Sequence, residues 1–484
     1  MTEDLLSALS RIVGEDNLIG AAQLKERARH FWDASPLVAK ALVRPASTDE
    51  TSRVLAACHA VGQSVVTHGG ITGLVDGDRT GTDDIVLSLE RQQQILDVDT
   101  IGRTITVQAG VILQNVQSAA AESGLMLGLD LGARGSCTIG GNLATNAGGL
   151  SVLRYGMARE QVLGLEVVLA DGTVLSSMSA MIKNNAGYDL KHLFIGSEGT
   201  LGVITKAVLR LRADTPHKAT ALLAFDQFEN VTRCLSHLDK NLNGVLNAFE
   251  VMWQPFYRLN THADRQDTVR EPLSGDHPLY AIVETRGASE STSSHALEAA
   301  LETLLETQCI TDAVVAQSEK EASNIWFIRE HIDIALEPTL VFAYDISLPI
   351  VSMQNYVEQL EREVQATWRD ASLYVYGHLA DGNLHILISP DENSDCLRDI
   401  EQLLADSSTH IPRSKHDLWY QYSNQLVYAP LQELGGSISA EHGIGLLKKD
   451  YLKLSRSSSE IELMKTIKQT LDPKRILNAG KIFD

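Results

Sequence analysis

The chain is expected to be an α+β protein in three stretches: β-rich over 1–215, mixed over 216–411 and mainly helical over 412–484. Three observations predict this. Short apolar runs alternate with glycine turns up to about residue 210. After the turn-prone Asp214-Thr-Pro216-His217, longer helical patterns alternate with strands. Helical periodicity then dominates the last 70 or so residues.

In order, Ser47-Thr-Asp-Glu50 has the spelling of a capping box and opens a helix to about His59. A strand over Ser64–Thr67 leads into the loop His68-Gly69-Gly70-Ile71-Thr72-Gly73-Leu74. Strands follow at Ile85–Leu89, Ile95–Val98 and Thr104–Ala109, then a helix over Leu113–Ser123. A second glycine run, Gly140-Gly141-Asn142-Leu-Ala-Thr145-Asn146-Ala-Gly148-Gly149, precedes a hairpin of Val162–Leu169 and Val174–Leu175 turning at Asp171-Gly172. Helices are expected at Phe228–Asn241, His295–Gln308, Ser318–Glu337 and Ser352–Thr367.

Composition narrows the function. A net charge of −21, from 41 basic and 62 acidic side chains, argues against nucleic acid and anionic membranes as partners. No apolar run approaches the roughly 20 residues of a membrane-spanning helix. The acidic start Met1-Thr-Glu-Asp lacks a basic leader, and the five scattered cysteines form no C-x-x-C pair. The expectation is a cytoplasmic protein without a cysteine-ligated iron–sulfur cluster.

The stretch from Leu373 to Ile388 has the pattern strand, Asp381-Gly382 turn, strand. With those two residues as a type I′ loop, His378 stands opposite His385, with Cβ atoms about 5 Å apart. Two imidazoles at that spacing can share a metal ion, or can simply be hydrogen-bonded on a polar face. A third ligand has to come from elsewhere, and Glu441-His442 offers a carboxylate beside another histidine. The two glycine clusters contain neither G-x-G-x-x-G nor a Walker pattern. Their backbone N–H groups can converge on an anion such as a pyrophosphate, with tight turns as the plainer alternative.

Taken together, the motifs resemble the FAD-dependent D-2-hydroxy-acid dehydrogenases, the D-lactate and D-2-hydroxyglutarate branch of the vanillyl-alcohol oxidase/p-cresol methylhydroxylase superfamily. The carriers, in order, are Gly69-Gly70-x-Thr72-Gly73, Gly132 through Gly149, Arg154-Tyr155-Gly156, Gly187-Tyr-Asp-Leu190, Gly196-Ser-Glu198-Gly199-Thr-Leu-Gly202, Gly377 through His385, Glu441-His442-Gly443 and Leu471 through Lys481. The resemblance implies a two-subdomain FAD-binding domain of the p-cresol methylhydroxylase type over 1–215. It further implies a substrate and metal domain with an antiparallel sheet over 216–411 and a segment over 412–484 returning to the flavin.

By the same resemblance, Gly69, Gly70, Thr72 and Gly73 would hold the FAD pyrophosphate. Ser136, Gly140, Asn142, Thr145 and Gly149 would line the flavin, Glu198, Gly202 and Ile204 would contact the adenosine and isoalloxazine portions of FAD, and Asn478 would approach the flavin from the C-terminal segment. His378, His385 and Glu441 match divalent-metal ligands, usually zinc and sometimes manganese. Arg329, Asn383 and Asp333 match substrate positions, and His442 the catalytic base. FAD is expected to be non-covalent, because Ile71 stands where tethering members have a histidine.

The chemistry is consistent with those roles. A 2-hydroxy acid can chelate a metal through its hydroxyl and a carboxylate oxygen, and the metal lowers the hydroxyl pKa. A histidine can take that proton near neutral pH while hydride leaves C2 for the flavin. Arg329 can clamp the carboxylate bidentately, or pair with Asp333 four residues on. In D-2-hydroxyglutarate enzymes the positions of Asp333 and Ala343 carry threonine and lysine, so a D-lactate-like substrate is expected here. A metal protein without redox chemistry, an oxygen-using oxidase and a D-2-hydroxyglutarate or D-malate enzyme are the competing readings. The electron acceptor (electron-transfer flavoprotein or quinone) and the assembly, a homodimer included, stay open.

Overall fold

The computed structural model describes residues 4–261, 268–336, 340–390 and 415–483. Its contacts divide the chain into two units, one of residues up to Asp214 plus those from Glu441 on, the other Thr215–Ala440. The expected boundary at 411/412 lies outside the described residues. The helix Lys415–Leu434, expected in the C-terminal segment, instead belongs to the second unit, where the Tyr356 hydroxyl donates to the Val427 carbonyl.

Two larger sheets build the first unit, beside a two-stranded ribbon of Ala28–His30 and Asp33–Pro36. In one, Ala41–Val43, Ile85–Ser88 and Val65–His68 lie parallel, with Leu18–Gly20 added antiparallel at the edge. The three parallel strands are buried almost throughout, as unbroken apolar runs between two covered faces should be. The helix Thr48–Val61 starts as expected, the Ser47 side chain accepting from Glu50 N, and stops at left-handed Gly62. The other sheet is antiparallel, in the order Val174–Ser177, Val162–Val168, Val203–Ala213, Thr104–Gln108, Ile95–Asp99. One apolar cluster, including Leu55, Ile85, Val107, Leu143 and Leu209, connects the elements of this unit.

The second unit is a seven-stranded antiparallel sheet in the order Asp312–Val315, His217–Phe225, Leu279–Gly287, Leu246–Trp253, Ser372–His378, Asn383–Ser389, Phe342–Ser347. Its hairpin departs from expectation. His385 pairs with Tyr376, not with His378. The loop is a 3₁₀ turn over Leu379–Asp381, in which Gly382 alone takes positive φ (+83°), so the two-residue type I′ turn is not formed. The slip is two residues, which preserves the face each side chain occupies. The expected helix Ser318–Glu337 also breaks, ending at Glu330 where His331 turns to ψ 72°. A short turn Asp333–Leu336 follows, and Glu337 is outside the described residues.

The C-terminal residues are held in the first unit by a buried lysine. Lys468, on the capped helix Ser458–Leu471, donates from Nζ to the carbonyls of Thr200 and Leu477 at 2.8 Å and to Asp472 at 2.5 Å. Asp472 is fully buried and also accepts from the backbone of Ile476 and Leu477. Replacing Lys468 by Met should therefore strand a buried carboxylate and lower stability by about 3–5 kcal/mol. Urea unfolding checks this, and a loss below about 1 kcal/mol, the size of an exposed pair, would contradict it.

Candidate functional site

In the first unit the two glycine clusters close around one cavity of about 340 Å³. Close backbone approach makes this possible. A Cβ at Gly70 would stand 2.9 Å from Cys137 Cα, and one at Gly140 would stand 2.7 Å from the Ala109 methyl. Of the residues expected to hold a dinucleotide, Gly69, Gly70, Thr72, Gly73, Gly140, Asn142, Thr145, Glu198, Gly202, Ile204 and Asn478 line the cavity. Ser136 and Gly149 do not. The Ser136 hydroxyl turns back to the Ala133 carbonyl, and the Gly149 N–H donates to Glu441 at 2.5 Å. Thr67, Thr138 and Cys137 line the cavity without having been singled out in the sequence.

Two expected cofactor contacts are engaged in holding the C-terminal segment. Glu198, itself at φ +51°, accepts from Ile444 N at 2.7 Å and Gly445 N at 2.8 Å. Burial pushes its carboxyl upward, against those two hydrogen bonds. Asn478 accepts from Thr67 N and donates to the Glu198 carbonyl. Together these bonds bring Glu441 and His442 to the cavity wall.

The cavity fits a dinucleotide such as FAD on its own features. Leu89, Leu131, Val203 and Ile204 give it apolar walls for a flat ring, beside glycine backbone and a few polar groups. The Thr67 hydroxyl is buried without a hydrogen-bond partner, as an atom awaiting a ligand would be. Ile71, a β-branched residue in the wall, sits at a strained φ of +46°. His68 is buried, its Nε2 against the Asp78 carbonyl at 2.8 Å.

The second unit carries the histidine pair. His378 and His385 meet edge to face with ring centroids 5.4 Å apart, in spite of the register slip. Each is backed by an acid that lies across a strand pair: Glu250 opposite His378 and Asp345 opposite His385. His378 Nδ1 lies 2.5 Å from Glu250, and His385 Nδ1 lies 3.9 Å from Asp345. Imidazoles with a carboxylate behind one nitrogen are suited to coordinate a metal through the other. Arg329 is not paired with Asp333, because the helix ends between them. Its Nε donates to Glu250 at 2.8 Å, and its guanidinium covers the Tyr376 ring at 4.5 Å.

Burial alone would raise the Glu250 carboxyl, but the charges of His378 and Arg329 overcome it and bring it to about 2. Asn383 donates to Asp345 and to the Ile346 carbonyl, while its own buried amide oxygen has no partner. Asp345 also accepts from Ala440 N, the residue just before Glu441. Asp333 is exposed. Glu250 and Asp345 were missed in the sequence. The available signal was a lone carboxylate inside an apolar strand, Ala-Phe-Glu250-Val-Met and Tyr-Asp345-Ile.

Comparison with known proteins agrees with these features. A family model for the C-terminal domain of FAD-linked oxidases matches residues 215–482, and one for an FAD binding domain matches 39–177. A D-2-hydroxyglutarate dehydrogenase of Xanthomonas citri is 38% identical over 456 residues, covering 94% of this chain and 90% of that one. The mitochondrial D-2-hydroxyglutarate dehydrogenase of Arabidopsis thaliana is 36% identical over 99% of this chain and 81% of its own. A Schizosaccharomyces pombe protein provisionally named a mitochondrial D-lactate dehydrogenase is 37% identical over 90% and 80%. Among solved structures, p-cresol methylhydroxylase superposes with a TM-score of 0.75 at 14% identity, covering 99% of this chain and 96% of that one. Alkyldihydroxyacetonephosphate synthase gives 0.73 at 17%, covering 99% and 86%. At such identities the last two establish the fold alone.

Lys481 yields a test of the electrostatics beside the cavity. It is buried and its Nζ has no hydrogen-bond partner. Burial pulls its pKa down to about 8, against the pull of Asp84, Asp78, Glu198 and Asp76. Between about 8 and the ordinary 10.5 the unfolded chain binds a proton that the fold does not, so stability rises with pH across that window. In flavin-stripped protein, Lys481→Met should be more stable than wild type below pH 8, and the gap should close by about pH 10.5. Unfolding measured at several pH values checks this, and a gap that does not change with pH would refute it.

Proposed function

The chain belongs to the FAD-dependent D-2-hydroxy-acid dehydrogenases, and we propose that it oxidises its substrate with His442 as base and a divalent metal held by His378, His385 and Glu441. The observation that carries this reading is His442 on the wall of the glycine-lined cavity. When bound, FAD supplies the two-electron acceptor, and zinc or manganese supplies Lewis acidity toward the substrate hydroxyl. Arg329 binds the substrate carboxylate through the outer nitrogens of its guanidinium, since its ion pair with Glu250 uses Nε. The Asn383 amide oxygen, buried and unpartnered, accepts a hydrogen bond from the substrate. His442 removes the hydroxyl proton and returns it to solvent. The apolar cavity walls exclude water from the reacting carbon. FAD is held non-covalently, with Ile71 where an anchoring histidine would stand and His68 turned to the Asp78 carbonyl.

The preferred substrate in this proposal is D-lactate or a short homologue. Asp333 and Ala343 stand where the resemblance has a threonine and a lysine addressing a second carboxylate, so neither position offers that carboxylate a donor. Of the two cations that could restore the lost charge, Arg286 and Lys320, Arg286 is paired with Glu284 at 3.0 Å. D-2-hydroxyglutarate is the second reading, favoured by the names of the Xanthomonas and Arabidopsis relatives.

Dye-linked turnover of D-lactate, D-2-hydroxybutyrate, D-2-hydroxyglutarate and their L-enantiomers, before and after chelation, tests the whole reading. The expected result is activity on D-acids only, lost on chelation and restored by zinc or manganese, with kcat/KM highest for D-lactate. A clear preference for D-2-hydroxyglutarate would decide for the second reading. Turnover unaffected by chelation would remove the metal. His442→Ala should keep flavin and metal at full occupancy and lower kcat at least about 100-fold, the scale of general base catalysis. His378→Ala and His385→Ala should lose the metal with flavin retained, and undiminished metal content in both would exclude them as ligands.

A further inference from the structure

We infer that Glu250 is a positioning residue which presents His378 and Arg329 to the substrate together. The inference rests on the ligand and clamp roles proposed above for those two side chains. Glu250 stands in the middle of the strand Leu246–Trp253, with its side chain only 1% exposed. It is the cross-strand partner of His378, one strand inward from the hairpin. Its two oxygens are divided between two neighbours: Oε1 lies 2.5 Å from His378 Nδ1, and Oε2 accepts from Arg329 Nε at 2.8 Å.

Each bond selects one state of its partner. With Nδ1–H donating to the carboxylate, the imidazole lone pair is on Nε2, the nitrogen that a metal or a substrate proton would meet. Arg329 engaged through Nε keeps its two terminal nitrogens as a fork, and Tyr376 beneath the guanidinium fixes the plane of that fork. Tyr376 is in turn the cross-strand partner of His385. One buried carboxylate thus sets the tautomer of one functional side chain and the orientation of another. A second buried acid of the same sheet makes the contrast. Glu284, on the adjacent strand, bonds Asn247, Trp326 and Arg286, none of which has a role in the proposed chemistry.

The test compares wild-type flavoprotein with Glu250→Gln, Glu250→Asp and Glu284→Gln. Zinc affinity is read by competition with a chromophoric chelator, and kcat and KM are read with D-lactate and D-2-hydroxyglutarate. Glu250→Gln should weaken zinc by about 10–100-fold, as loss of a carboxylate behind a ligating histidine does. It should also raise KM with flavin content unchanged, and adding Arg329→Lys should raise KM no further. Glu284→Gln, similarly buried, should leave zinc affinity and the KM for D-lactate at wild-type values. Should Glu250→Gln fail to fold, Glu250→Asp keeps the charge but is a methylene too short to reach both partners, and should show the same pattern in smaller measure. Wild-type zinc affinity and KM in the Glu250 variants, or equal losses in Glu284→Gln, would overturn the inference. If wild type takes up no zinc, the metal reading fails and KM alone decides the role of Glu250. If wild type neither takes up zinc nor turns over either acid, the inference falls with its premise.

Discussion

Everything at the cavity depends on returning a distant stretch of chain to the first unit. The backbone leaves that unit at Asp214 and re-enters at Glu441, so His442 and Asn478 reach the cavity through long-range bonds. Glu198 accepts the backbone of Ile444 and Gly445, and Asn478 joins Thr67 N to the Glu198 carbonyl. The Leu446 N–H donates to the Val75 carbonyl, and a Cβ at Gly443 would stand 2.8 Å from Glu198. At Ile444, Gly445 and Leu446 the bonds are made by backbone N–H groups, whereas at Asn478 the side-chain amide makes both. The conformational entropy of the returning segment is overcome by several such bonds acting on one short turn.

The second unit solves a different problem, that of keeping charged and imidazole groups inside a sheet. Glu250 and Asp345 are buried at 1% and 0%, each directly opposite a histidine. A buried carboxylate persists only when its hydrogen bonds are made. Glu250 meets that demand with His378 and Arg329, and Asp345 with Asn383 and Ala440 N. The same contacts that make these acids tolerable also orient His378, Arg329 and Asn383. Stability and preorganisation therefore rest on the same bonds.

The hairpin shows how far local rules carry. Period-two alternation placed His378 and His385 on one face, and they share it in the fold at 5.4 Å. The register differs by two residues from the type I′ expectation because Asp381 does not adopt positive φ, and the turn lengthens into a 3₁₀ stretch. An even slip leaves faces intact, so the pair survived an error in its turn. Arg329 was less legible. Its i+4 partner Asp333 was cancelled by a helix break, and its actual partner Glu250 lies 79 residues away in sequence.

From the sequence alone came the α+β class, the two glycine clusters and eleven of the residues that line the cavity. The class and the clusters depend on short-range spelling, namely apolar periodicity and turn residues, while the cavity residues were implied by the resemblance that the motifs carry in order. The tertiary structure decided which acids stand behind which histidines, that Ser136 and Gly149 leave the cavity wall, and that the helix Lys415–Leu434 belongs with the second unit. Those are matters of sheet order and long-range pairing. A strand's pattern declares which of its faces is buried, but not which strand lies beside it, and so it could not reveal that Glu250 faces His378.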